Sequence, residues 1–194
     1  MKKKVFLTGF RGAGKTTLAV LLGKRLNFEV IEMDKLIVER TKKTISELTN
    51  RGKDWKRFRE EETLLLKEIL KKDKIVVDTG GGLFVNDVEY KRGITFGEYN
   101  FNLVKDLPEK LIIFLKVKEE ILIKRLTSEE FLNYNKKFRP SLSGDEKIDL
   151  KKEMEIYKKR LSLYEKRADY ILENNFLAKK EALEKILKLI YDRS

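Results

Sequence analysis

Apolar residues recur along this chain in two alternating patterns. Short, nearly unbroken runs stand at Lys4–Thr8, Phe28–Met33, Ile75–Asp78, Leu111–Val117 and Tyr170–Glu173. Between them lie stretches whose apolar positions fall three or four apart. Lys15–Leu26 sets Leu18, Leu21, Leu22 and Leu26 on one face, and Ala178–Tyr191 stacks Ala182, Ile186 and Leu189. Trp55–Lys72, Glu119–Leu126 and Leu150–Ala168 are of the same kind. Runs of the first type suit strands covered on both faces, and stretches of the second suit amphipathic helices. "TISE" (Thr44–Glu47) has the form of a capping box, which predicts a further short helix. Strand and helix in alternation predict an α/β fold with a parallel sheet. No repeat, low-complexity tract or linker divides the chain, and 194 residues suit a single domain spanning 1–194. Pro108 and Pro140 are the only prolines, and both are expected in loops.

Composition narrows the chemistry. The chain has no cysteine and no histidine. Disulfides, thiolate or imidazole metal sites and Ser-His triads are thereby excluded. Any reaction must run on carboxylates, Lys, Arg, hydroxyls, backbone dipoles and a borrowed metal ion. The net charge of +12 would suit an anionic partner, but the basic residues are spread along the chain and mixed with Glu. That pattern reads as a Lys/Glu-rich surface rather than a nucleic-acid interface, and no aromatic-basic stacking motif accompanies it. The "MKKKVFLTG" start is too short in its apolar part for a signal peptide, and no run approaches membrane-spanning length. The expectation is a cytoplasmic protein with neither a nucleic-acid nor a membrane partner.

The first run leads into "GFRGAGKT" (Gly9–Thr16), which fits G-x-x-x-x-G-K-[ST] between a predicted strand and a predicted helix. Such a loop holds phosphate oxygens on backbone N–H groups and a helix N-terminus, with Gly12, Ala13, Gly14, Lys15, Thr16 and Thr17 around the nucleotide. Lys15 reaches the transferred phosphate and the Thr16 hydroxyl ligates Mg²⁺. ATP and Mg²⁺ are the expected cofactors. The second run ends "VIEMDKLI", where Glu32 and Asp34, two apart, are expected to face the same way at the carboxyl end of the sheet. In "FREEE", Arg59 stands three residues before Glu62, so the carboxylate can orient the guanidinium. Three glycines, Gly80, Gly81 and Gly82, follow the strand "IVVD" in "VVDTGGGLF". Glycine is costly to order, so the triplet implies either a tight turn or something lying directly against the backbone.

Taken together and in order, these residues resemble the shikimate kinase family. That family has the P-loop, an acidic D-x-D after the second strand, F-R-x-x-E, T-G-G-G after the third strand, R-P-L-L in a lid and R-x-x-x-Y before the last strand. The corresponding stretches here are "EMD" at 32–34, "FREEE" at 58–62, "TGGG" at 79–82, "RPSL" at 139–142 and "RLSLY" at 160–164. The resemblance implies a three-layer P-loop fold with a central five-stranded parallel sheet flanked by helices. It also implies a substrate-binding helical segment at 35–70 and a mobile lid at about 127–147. The implied activity is ATP-dependent phosphorylation of the 3-hydroxyl of shikimate by a monomeric small-molecule kinase. Asp34 would position the acceptor hydroxyl, with Lys15 and Arg139 completing the catalytic set. Arg59 and Arg160 would bind the substrate carboxylate, and the glycines would offer it backbone N–H groups. Arg139 would also contact the nucleotide as the lid closes.

Several positions depart from the family pattern. Glu32 replaces an aspartate, and Asp78 stands where the family is usually small. We expect Thr16, Glu32 and Asp78 on the metal side, with Asp78 orienting a metal-bound water. Arg125 is a candidate second nucleotide-contacting arginine. The stretch Phe84–Lys110 is longer than in the family and rich in Phe and Tyr, which reads as an elaboration packed on the sheet edge. Alternatives are a P-loop kinase for another hydroxy acid or polyol such as gluconate, and a non-catalytic nucleotide-binding relative.

Overall fold

The computed structural model describes residues 4–129, 131–133, 142, 149–175 and 178–191. Five strands, β1 (Lys4–Thr8), β2 (Glu29–Glu32), β3 (Ile75–Asp78), β6 (Lys110–Lys116) and β7 (Tyr170–Glu173), pair in the order β2-β3-β1-β6-β7. All four pairings are parallel. The helices are α1 (Lys15–Leu26), α2 (Met33–Thr41), α3 (Ile45–Leu48), α4 (Lys56–Ile69), α5 (Phe96–Val104), α6 (Glu119–Leu126), α7 (Leu150–Arg167) and α8 (Lys179–Tyr191), and β4 (Glu89–Lys91) with β5 (Ile94–Thr95) forms a hairpin.

Alternation along the central strands feeds two cores, which is why those strands read as continuous apolar runs. Val5, Leu7, Val76 and Ile113 pack with Leu18 and Leu22 of α1, Leu122 of α6 and Ile186 of α8. Phe6, Val77, Ile112 and Phe114 point the other way, onto Leu66 and Ile69 of α4 and Val104 of α5. Helix α7 joins both, giving Met154 and Tyr157 to the first core and Tyr164 to the second. The result is the helix–sheet–helix arrangement expected. Parallel register brings the carboxyl ends of β1, β2 and β3 to one rim, with Leu7 and Glu32 both opposite Asp78. Ligands of open α/β sheets bind at such a rim. Among the described residues no helix is long and apolar enough to cross a membrane.

Two regions differ from the sequence reading. First, β2 stops at Glu32 and α2 begins at once, so Asp34 lies in the first turn of a helix and not on the strand. Glu32 is the N-cap, in extended geometry and without a side-chain cap bond, so the usual start signal was missing. Second, Phe84–Lys110 covers a sheet face and not the edge. Phe84 meets Phe6 of the central strand edge-on at 5.9 Å. The hairpin turns through Arg92 and Gly93, both at positive φ, and α5 is capped by Thr95, whose hydroxyl accepts from Glu98 N–H. The buried pair Thr63 Oγ1 to Asn100 Oδ1, 2.8 Å, fixes α5 against α4.

Candidate active site

The loop between β1 and α1 has the geometry of an anion cradle. Gly9, Gly12 and Gly14 hold positive φ values of 143°, 78° and 92°, and Gly14 starts α1 with no side-chain cap, which leaves the helix N-terminus open. The carbonyls of Gly12 and Ala13 are engaged from behind. Arg125 Nη1 donates to Gly12 O at 3.0 Å, and Asn174 Nδ2 donates to Ala13 O at 2.8 Å. Arg125 Nη2 also donates to Asn174 O at 3.1 Å, tying α6 and the turn after β7 to the loop. Holding the Ala13 carbonyl on one side turns the Gly14 N–H to the other, as an anion nest requires, while the Ala13 N–H closes the loop onto Phe10 O at 3.2 Å. Arg125, expected as a candidate nucleotide contact, is thus engaged with backbone carbonyls behind the loop. Lys15 is buried, and its Nζ donates to Gly9 O at 2.9 Å and Phe10 O at 3.1 Å, curling the ammonium over the loop. Thr17 is exposed on the first turn of α1.

Thr16 Oγ1 donates to Asp78 Oδ2 at 2.5 Å, and Asp78 Oδ1 accepts from Gly80 N–H at 3.2 Å. Glu32 lies across the β2–β3 pairing from Asp78. Among the described residues no group of three or more carboxylates, His or Cys gathers to form a metal cage. A hydroxyl joined to one buried carboxylate is instead a hard-oxygen donor set of the kind that suits Mg²⁺, which keeps several waters and uses one or two protein ligands beside phosphate.

Beside the loop opens a pocket enclosing about 430 Å³, mouth included, and lined by Asp34, Arg59, Glu62, Gly82 and Arg160 with Arg11 of the loop. Arg59 Nη1 donates to Glu62 Oε2 at 2.5 Å, and both residues are buried. The guanidinium lies 4.9 Å from the Trp55 ring centroid and 5.2 Å from that of Phe58. Two aromatic faces and a carboxylate thus fix its plane. Arg59 Nε and Glu62 Oε1 are buried and have no hydrogen-bond partner among the described residues, polar capacity that suits a ligand. Burial, offset only in part by Arg59, pushes the Glu62 carboxyl up to about 7, and nearby Asp34 adds to the rise. Burial lowers the Arg160 pKa and lifts the neighbouring Tyr164 phenol to about 12. Tyr164 OH donates to Gly81 O, which holds the glycine loop against α7.

The glycine triplet is explained by what lies against it. A Cβ on Gly80 would stand 2.7 Å from Asp34 Oδ1, and φ there is 67°. A Cβ on Gly82 would stand 2.7 Å from Arg59 Nη2. At Gly81 the nearest atoms, in the P-loop backbone, are 3.6 Å away or more, an ordinary contact. The glycines are therefore a surface against which the site's own carboxylate and guanidinium are laid.

The family model described as "Shikimate kinase" matches residues 11–191. A shikimate kinase of Clostridium botulinum (strain Alaska E43 / Type E3) is 36% identical over 191 residues, 98% of this chain and 98% of its own. The chain belongs to the shikimate kinase family. The shikimate kinase of Thermodesulfovibrio yellowstonii is 32% identical, over 96% of this chain and 94% of its own. Among solved structures, shikimate kinase from Acinetobacter baumannii in complex with shikimate superposes with a TM-score of 0.79 at 26% identity, covering 100% of this chain and 96% of that one. The Bacteroides thetaiotaomicron enzyme gives a TM-score of 0.75 at 28% identity, with 98% and 99% covered.

Within that family frame the predicted residues fall into two adjoining groups. Gly12, Ala13, Gly14, Lys15 and Thr16 form the loop group, joined by Asp78 of β3 through its bond to Thr16; Asp34, Arg59, Gly81, Gly82 and Arg160 share the pocket, with Gly80 packed behind Asp34. Glu32 meets the first group through its strand pairing with Asp78. Arg139 and most of the expected lid lie outside the described residues. Sequence reasoning passed over two buried groups. Arg11 occupies a variable position of the loop motif, and Glu153, in the first turn of α7, approaches its Nε at 3.6 Å. Only folding brings that pair together, and no local spacing announces it.

Proposed function

We propose that this protein transfers the γ-phosphoryl group of ATP to the 3-hydroxyl of shikimate, giving shikimate 3-phosphate and ADP. The observation that carries the proposal is the convergence of Asp34, Arg59 and Arg160 in one pocket that shares its wall with the P-loop. The loop's N–H groups take the phosphates, and Lys15 exchanges the carbonyls of Gly9 and Phe10 for phosphate oxygens. Thr16 and Asp78, with Glu32 nearby, would hold Mg²⁺, which when bound supplies positive charge to the phosphate oxygens. Arg59, fixed by Glu62 and its two rings, and Arg160 grip the substrate carboxylate with planar forks. The acid's far end is thereby anchored, and Asp34 accepts the hydrogen bond of the reacting hydroxyl, orients it and takes its proton as the new P–O bond forms. The bond between the γ-phosphorus and the β,γ-bridging oxygen breaks, and ADP leaves. Arg139 is assigned to the charge on the phosphoryl group in flight. We read the enzyme as a cytoplasmic monomer, acting where ATP is held.

The test is ADP release from ATP·Mg²⁺ by the purified protein with shikimate, with gluconate and without acceptor. Release that shikimate alone accelerates is the expected result. Acceleration by gluconate and not by shikimate, or by neither, overturns the assignment.

A further inference from the structure

Arg11 stands inside the phosphate-binding loop, at a position where the motif asks for no particular side chain, yet it is 7% exposed and lines the acceptor pocket. Burying a guanidinium is expensive unless it is compensated. Part of the compensation is Glu153, a fully buried carboxylate brought in by α7, whose Oε2 lies 3.6 Å from Arg11 Nε. That is an ion pair without a hydrogen bond's closeness. Glu153 has further duties. Its Oε1 accepts the Leu142 N–H at 2.7 Å, and it lies within electrostatic reach of Arg160. Glu153 is therefore a fixed post between the loop, Leu142 at the pocket wall and the second pocket arginine, and Arg11 is steered by it.

Arg59 and Arg160 reach the pocket from α4 and α7, whereas Arg11 reaches it from the loop that presents the phosphates. A third guanidinium thus lines the pocket from the side of the loop whose N–H groups suit phosphate. Resting on the kinase reading above, we propose that Arg11 is a contact for the phosphoryl group once it sits on the acceptor, with Glu153 as its positioning residue. The site thereby distinguishes the phosphorylated acid from the free acid. The chemistry recognised is a phosphate monoester dianion, for which a guanidinium fork is well shaped.

The experiment is calorimetric titration of wild type and Arg11→Met with shikimate and, separately, with shikimate 3-phosphate, both without nucleotide. Loss of one charge-assisted contact predicts that phospho-acid binding weakens about tenfold or more beyond any change in shikimate affinity. Arg11→Gln keeps polar donors toward Glu153 while removing the charge. It is expected to show the same selective loss and serves as the reporter if the methionine variant melts early. Equal weakening of both ligands, or no weakening of either, overturns the inference while leaving the kinase reading intact. Wild-type protein that binds neither ligand overturns both.

Discussion

Gly82→Ala tests the architecture of the pocket through a single methyl group. That methyl would lie 2.7 Å from Arg59 Nη2, 2.8 Å from Nη1 and 2.9 Å from Cζ. Comfortable heavy-atom contact begins near about 3.5 Å, so the guanidinium must retreat by roughly 0.8 Å. It is not free to do so, because Trp55 and Phe58 flank it and Glu62 holds Nη1 at 2.5 Å. Gly82 is not among the glycines at positive φ, so alanine adds no backbone strain and the effect belongs to the methyl. Overpacking of this kind costs about 1–3 kcal/mol. For a chain of this size that lowers the melting temperature by roughly 3–9 °C. If Arg59 grips the substrate carboxylate, its displacement forfeits about 1.5–3 kcal/mol of charge-assisted hydrogen bonding, or about 10- to 150-fold in shikimate affinity. Trp55 is the only tryptophan in the chain and lies over Arg59, so its fluorescence should report the titration. Gly81→Ala is the stability control, since its nearest neighbours are 3.6 Å away or more and its melting should stay within about 0.5 kcal/mol of wild type. A Gly82→Ala protein with wild-type melting and wild-type shikimate affinity would refute the reasoning.

Two further predictions concern the buried carboxylates. Glu62 titrates at about 7 in the folded protein against an ordinary 4.5, so the native state keeps a proton that the unfolded chain releases. The associated stability is fully present below pH 4.5 and declines as pH rises to about 7, by about 3 kcal/mol in all. Denaturant-derived stability across that window should slope downward more steeply than in Glu62→Gln, and equal slopes would sink the idea. Asp78→Asn keeps the shape but removes the charge facing Thr16, and should raise the Mg²⁺ concentration for half-maximal ADP release about tenfold. An unchanged Mg²⁺ titration would remove Asp78 from the metal side.

What the chain reveals in advance follows from how local each determinant is. Strands β1, β3 and β7 and helices α1 and α6 begin and end where periodicity and composition put them, because each is buried on the faces its own pattern defines. The start of helix α2 was not legible: it follows β2 without a linker or a side-chain cap. Helix α5 was obscured because Asn100 sits in its buried stripe, where the Thr63 hydroxyl from α4 and the Leu83 carbonyl make an amide tolerable. The site divides the same way. Arg59 and Glu62 are visible as a helical pair, but the same spacing describes any surface ion pair; what distinguishes this one is burial between Trp55 and Phe58, a property of the folded neighbourhood. The glycine triplet shows where side chains are excluded without saying by what. Gly80 yields to a carboxylate from α2 and Gly82 to a guanidinium from α4, so the motif is intelligible only as the counterpart of two other elements. Arg11 and Glu153 go one step further, since neither belongs to a required motif position and only the folded chain brings them into contact. A motif in this protein is therefore one half of a surface, and chemistry that depends on the matching half becomes readable only after the sheet has aligned its strand ends along one rim.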